Sequence, residues 1–301
     1  MKQLTFDSLY HINAAGCTSS SLYTAVANKM LFSKPSKALI RCDISLDAPY
    51  IFVEIDELAQ LDRVTRCLLM LSHLLEQVDI ATLRQTNRIS QIVFLLPVDE
   101  IEQPLISDET LAELLQECIA EQIPAYSQMP TCDLTTINND TLVIAVDSCN
   151  SYQYVSEQAK RCTVQVLNGP PGVIYGEGGY ALLIHPQGKL TAQLYDGQMT
   201  AQLAQANCTS QDRYLFVGEQ SLTWQKKWFA YTQKLYKKGQ PLIECAELAT
   251  TIGHQGNANS LAALTLAQSY LCNPLTRSLE QVFVIFNAPN EQLVKISRSE
   301  K

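Results

Sequence analysis

Two stretches of this chain end in the same way, and that repetition restricts its fold more than any other feature. Residues 141–146 (Thr-Leu-Val-Ile-Ala-Val) form an unbroken apolar run, and after a polar break a second run follows at 180–184. Residues 282–286 (Val-Phe-Val-Ile-Phe) are followed in the same manner by 292–296. Unbroken apolar runs of this length read as strands buried on both faces. Upstream of each pair, strand-like runs alternate with longer amphipathic stretches. In the first half the strands are 10–16, 38–46 and 89–98, and the helices are 21–32, 58–78, 108–121 and 151–161. In the second half the strands are 190–195, 213–217 and 243–248, and the helices are 221–236 and 257–271. Strands alternating with helices at this spacing predict an α/β protein. The repeated ending predicts two similar βαβαβαββ halves, residues 1–187 and 188–301.

The 301 residues are enough to bury a large core, and 47% of them are hydrophobic, the composition of an ordinary globular protein. No apolar run approaches the roughly 20 residues that span a bilayer. The opening residues lack an apolar stretch of signal-peptide length, which predicts a cytoplasmic protein. A net charge of −8 disfavours nucleic acid as a partner, because phosphate recognition needs a basic surface. The ten cysteines are scattered, with no C-x-x-C pair, and most lie in apolar contexts. They read as reduced, buried side chains rather than a zinc or redox framework, and no cofactor motif is present.

Three segments, in order along the chain, carry a resemblance. Residues 142–148 (Leu-Val-Ile-Ala-Val-Asp-Ser) are similar to a strand ending "G-G-V-D-S". Residues 175–184 (Tyr-Gly-Glu-Gly-Gly-Tyr-Ala-Leu-Leu-Ile) are similar to "G-E-G-A-x-A-L-V-L". Residues 249–264 place Gly253-His254 before a small-residue turn and an apolar helix, similar to "K-S-x-x-G-H-x-x-x-A-A-G". Together they resemble β-ketoacyl synthases of the thiolase-like superfamily. That resemblance implies the thiolase-like fold: two pseudo-symmetric halves in a layered α/β/α/β/α core.

The same resemblance implies a Cys nucleophile, two His or His/Asn partners and an oxyanion hole, and most of these are altered here. Thiolate formation is helped by a helix N-terminus and a nearby base. The nucleophile's neighbourhood is residues 115–140, whose thiols are Cys118, inside an amphipathic stretch, and Cys132. Pro124, Pro130 and the Thr/Asn/Asp-rich run 135–140 argue against the buried helix that should follow the thiol. The segment that should carry "E-A-H-G-T-G-T" reads Val217-Gly218-Glu219-Gln220-Ser221-Leu222-Thr223, without His. Ala249 stands where the Lys belongs, and the glycine loop is replaced by Phe286-Asn287-Ala288-Pro289-Asn290. His254 alone sits where the resemblance would use it, either beside a nucleophile or fixing its turn by hydrogen bonding to backbone. Cys17, in Gly-Cys-Thr-Ser-Ser-Ser-Leu, mimics an "A-C-S-S-S-L" nucleophile motif but follows the first strand. It reads as part of a small-residue turn. His11, His73 and His185 read as structural.

The basic and aromatic residues of 221–238 (Trp224, Lys226, Lys227, Trp228, Tyr231, Tyr236) have helical spacing and read as a packed face. The expectation is therefore a thiolase-like pseudoenzyme used as an interaction scaffold or adaptor, with His254 and Cys132 the only candidate site residues and no metal or cofactor. Its partner would be a second copy or a related chain, with residues 89–98 a candidate pairing strand. Divergent proteins of this type also resemble accessory proteins encoded with bacterial type VI secretion effectors, which makes an effector another partner. The alternatives are an acyl-thioester condensing enzyme or acyltransferase with a rebuilt Cys132/His254 site, and an acyl-carrier-protein-binding partner of an active synthase.

Overall fold

In the computed structural model the first half runs β1 (Lys2–Asn13), α1 (Ser19–Ala27), β2 (Ser33–Cys42), β3 (Asp47–Val53), α2 (Arg63–Gln77), α3 (Ile80–Gln85), β4 (Gln91–Leu95), α4 (Asp108–Cys118), β5 (Ala125–Gln128), β6 (Thr141–Ser148), α5 (Tyr152–Arg161) and β7 (Glu177–Ile184). The second runs β8 (Leu190–Leu194), α6 (Met199–Gln205), β9 (Arg213–Phe216), α7 (Leu222–Thr232), β10 (Cys245–Glu247), α8 (Leu248–Ile252), α9 (Asn259–Cys272), β11 (Gln281–Phe286) and β12 (Gln292–Arg298). The structure describes all residues except 1, 43–46, 87, 100–102, 120–122, 162–163, 170, 210–211, 218–221, 234, 236–244, 277, 287–290 and 300–301.

Ten strands form one hydrogen-bonded sheet in the order β10-β9-β11-β12-β8-β1-β7-β6-β4-β5. Read outward from the β8–β1 pair, the two wings are the same. β5, β4 and β6 are parallel, with β7 and then β1 antiparallel in turn. β10, β9 and β11 are parallel, with β12 and then β8 antiparallel. β1 belongs to both wings: Lys2–Phe6 pair with β8, and Phe6–Asn13 pair with β7. A register shift between Ser8 and Tyr10 lets this one strand serve both.

Side-chain alternation then builds five layers. Along β6, Leu142, Ile144 and Val146 face α2 and α4, joining Leu71, Leu74, Leu111 and Leu115 in one core. Val143 and Ala145 face the other way, into a core shared with α9. Along β11, Val282, Val284 and Phe286 face that same central core. Phe283 and Ile285 point outward against Met199 of α6 and Trp224 and Trp228 of α7. α9 therefore lies between the wings, and eleven of its residues, Asn259 and Leu261 to Leu271 except Gln268, are buried. That explains why the helix is apolar all round instead of amphipathic.

Several expectations need correction. The first strand covers Lys2–Asn13 rather than 10–16, because Gly16 closes a tight turn at φ +106°. Of the face expected along the long helix (Leu61, Val64, Leu68, Leu71 and Leu75), Leu71 and Leu75 are buried, whereas Leu61, Val64 and Leu68 pack at the margin; the buried side is Arg66, Cys67, Met70, Leu71, Leu74 and Leu75. The proposed pairing strand, 89–98, contains β4, which is bonded to β5 on one side and β6 on the other and offers no free edge. The edge strand of that wing is β5, short and largely exposed, which sequence inspection passed over. The packed aromatic face is present: Trp224 stacks on Phe216 at 3.7 Å and Trp228 lies 5.1 Å from Tyr214. Among the described residues no helix is long and apolar enough to cross a membrane.

Candidate functional site

The segments that carry the resemblance meet at one place, where the approach to β7 crosses the turn before α9. His254 N–H donates to the Ile174 carbonyl (2.8 Å) and Gly176 N–H donates to the His254 carbonyl (2.9 Å). Only glycine permits this crossing. A Cβ on Gly176 would meet the Ile252 carbonyl oxygen at 2.4 Å, and Gly253, at φ +74°, would drive a Cβ to 2.7 Å from Gly176 Cα. The His254 ring stands edge-on to Tyr175 (5.6 Å), and its Nδ1 accepts a 3.3 Å hydrogen bond from Gly256 N–H. The imidazole thus holds the turn through the backbone.

A buried polar web surrounds this crossing. Glu177, fully enclosed, accepts from Arg66 Nη1 (2.9 Å), Ser148 Oγ (2.7 Å) and Ile55 N–H (2.7 Å). Asp147 accepts from Arg63 Nη2 (2.9 Å) and Asn257 N–H (3.0 Å). Gln255 donates to the Glu177 and Ile252 carbonyls and accepts from Tyr180 O–H, which accepts from Asn13. Every carboxylate of this web thus faces a guanidinium or several N–H groups, as burial of charge requires. Two buried thiols border this web, Cys67, hydrogen-bonded to Ser148 backbone, and Cys149, beside Tyr154 and Tyr175. Burial, aided by the Asp147 charge, pushes both well above the usual thiol range, so they stay protonated. Sequence reasoning missed Arg63, Arg66 and Cys149. Two arginines three residues apart on an amphipathic helix were the available signal.

Cys132 lies elsewhere. After β5 the chain crosses residues 129–140 to β6 as bends and turns, with no helix. Asp133 organises the turn by accepting from Thr135 N–H (2.8 Å) and Thr135 Oγ1 (2.6 Å). The Cys132 thiol is hydrogen-bonded to Ser260 in the first turn of α9. Burial first, and then the adjacent Asp133, push it up to about 12. Cys132 opens onto a cleft of about 970 Å³, together with Thr131, Met199, Gln202, Lys227, Tyr231 and Phe286. Glu291, on the same cleft, accepts from Lys227 Nζ (2.8 Å) and Tyr231 O–H (2.6 Å). Partial burial works against its ionisation, but these bonds hold it below the usual glutamate range. His254 is not among the residues of this cleft, and the partner of Cys132 is Ser260. The expected glycine-loop position, 287–290, and residues 218–221 lie outside the described residues. Among the described residues no group of three His, Cys, Asp or Glu could hold a metal, and the eight described cysteines are free.

No family model matches the sequence, and no curated protein matches it. Solved structures do match in shape. A β-ketoacyl synthase from Burkholderia phymatum STM815 superposes with a TM-score of 0.60 at 10% identity over 100% of both chains. The ishigamide ketosynthase/chain length factor gives 0.58 at 9% identity, again over 100% of both. A type II polyketide ketosynthase bound to the hexaketide, solved in complex with its acyl-carrier protein, gives 0.58 at 11% identity over 99% of both. At such identities the likeness establishes the fold. The chain has the thiolase-like ketosynthase fold in essentially its full extent, as the three ordered segments implied.

Proposed function

We propose that this protein uses a ketosynthase fold, halves 1–187 and 188–301, as a binding scaffold and does not condense acyl groups. The observation that carries the reading is the state of Cys132. Burial favours its neutral thiol, no helix begins at it, and it is hydrogen-bonded to Ser260. Burial and the adjacent Asp133 both raise this thiol, which disfavours the thiolate that attack on a thioester needs. The retained motif residues are spent on structure: Gly176, Gly253 and His254 on the crossing, Glu177 and Asp147 on ion pairs. On this reading the partner is a protein. It is a second copy or related chain at the exposed edge of β5, or a secretion effector by analogy with accessory proteins of this type. The free thiols fit a reducing compartment such as the cytoplasm.

A second reading is favoured by the cleft itself. About 970 Å³ is ample for an acyl chain, and one structural neighbour was solved with an acyl-carrier protein. On that reading the protein holds a carrier-bound chain without reacting with it. Incubation with acyl-thioesters of coenzyme A and of carrier protein, followed by intact-mass analysis, decides between chemistry and binding. The expected result is no acyl adduct and no thiol release above the Cys132→Ala background. Stoichiometric acylation of Cys132 would overturn the proposal. Saturable carrier binding without an adduct would select the second reading.

A further inference from the structure

We infer that the cleft beside Cys132 receives a segment of a partner protein carrying lysine or arginine side chains, an assignment that rests on the scaffold reading above. The cleft has a buried apolar floor, to which Leu134, Met199 and Phe286 contribute. Its rim is polar and largely exposed, and comes from four places: the turn at 131–135, the approach to α6, the outer side of α7 and the start of β12. At about 970 Å³ it lies near the top of the range of roughly 300–1,000 Å³ that ligand clefts occupy.

Both walls are tied to the rest of the molecule. On one side Lys2 Nζ donates to the Ile137 carbonyl (2.8 Å), and Leu134 and Ile137 pack into the central core. On the other, the buried Gln202 amide donates to the Glu291 carbonyl (3.1 Å) and accepts from Leu293 N–H (2.6 Å). A cleft formed in advance spends little of the binding free energy on ordering its own walls.

Charge then selects the occupant. Among the described residues the cleft is lined by three carboxylates, Asp133, Asp196 and Glu291, and one ammonium, Lys227, a formal balance of 1 − 3 = −2. Glu291 takes Lys227 Nζ and Tyr231 O–H, so that cation is used within the wall. Asp133 accepts both of its hydrogen bonds from Thr135 on Oδ1, which leaves Oδ2 for a donor from outside. Asp196, exposed, adds a carboxylate from the other half. A phosphodiester or other anion entering here meets repulsion. A lysine or arginine places its charged head on these carboxylates and lays its methylene stem along the apolar floor. Gln198, whose side chain makes no cap bond to α6, and Thr200 are exposed at the rim and can bond the segment's peptide groups.

The test pans a random dodecapeptide library against the full-length protein and measures the enriched sequences, labelled with fluorescein, by fluorescence anisotropy. These sequences should carry lysine or arginine among apolar residues. They should bind about tenfold more weakly to Asp133→Asn/Asp196→Asn, and more weakly as salt is raised. Asparagine keeps the Oδ1 acceptor that Thr135 uses, so the turn survives in that variant. Thr200→Trp, which fills the cleft from the first turn of α6, should abolish binding, and melts verify that both variants fold. A library that enriches nothing, or enriches acidic or wholly apolar sequences, would overturn the inference. So would basic peptides that bind both variants as they bind the parent, or displacement of the peptide by equimolar decanoyl-coenzyme A. Acylation of Cys132 in the assay above would sink the scaffold reading itself; loss of basic selectivity without acylation would sink only this site.

Discussion

At the scale of single residues, the ion pair between Arg66 and Glu177 is the most deeply buried among the described residues. Glu177 is wholly enclosed and the Arg66 side chain nearly so. Removing one partner strands a charge in a low-dielectric interior, so Arg66→Met should cost about 3–5 kcal/mol in denaturant unfolding. The double change Arg66→Met/Glu177→Leu should recover part of that loss, because the penalty lies in the uncompensated charge. His11 supplies a pH dependence. It is buried in β1, Thr18 backbone is its hydrogen-bond partner, and its Nε2 has no partner among the described residues. Desolvation lowers it from 6.5 to about 4. Between those values the unfolded chain binds a proton that the folded chain refuses. The stability it contributes is complete above pH 6.5 and falls by about 3 kcal/mol as the pH drops to 4. Thermal melts across that range should show the decline, and His11→Gln should flatten it. A profile equally steep in the variant would exclude His11 as its source.

At the scale of elements, α9 is the most constrained helix. Ala262 and Ala263 are fully buried between the two wings, where small side chains let strands and helix approach on both sides. Ala263→Leu should overpack this layer and cost about 1–3 kcal/mol by calorimetry. Glu113→Ala, on the exposed side of α4, should stay within about 0.5 kcal/mol. The elements legible in the sequence were those with long periodic signals. β6, β11 and α9 announced themselves as apolar runs, and α2 and α4 as amphipathic ones. β5 (Ala-Tyr-Ser-Gln) and α6 (Met-Thr-Ala-Gln-Leu-Ala-Gln) are short and polar, so neither period was visible. The face of α2 was legible only in part, at Leu71 and Leu75, for a different reason. Arg66 occupies the buried face to reach Glu177, a polar residue placed inside by a partner 111 positions away.

At the scale of the whole molecule, the wings are topologically repeated but physically joined. β1 pairs with strands of both, and one central core gathers side chains from β6 and β7 as well as β9, β11 and β12. Unfolding should therefore be a single cooperative transition, with matching denaturant midpoints by circular dichroism and by tryptophan fluorescence. Residues 188–301 expressed alone should show no cooperative melt, having lost the strand that completes their edge. The sequence by itself determined the α/β alternation, the repeated strand-break-strand ending, and the turn-rich, non-helical course of residues 129–140. Each of these is written in neighbouring residues, through apolar period or through proline and turn chemistry. Tertiary structure alone decided that Cys132 is hydrogen-bonded to Ser260, and that Arg63 and Arg66 neutralise Asp147 and Glu177. Those encounters depend on which strands pair and how two wings enclose one helix. Such distances are set by the packing of the whole core, and no local pattern encodes them.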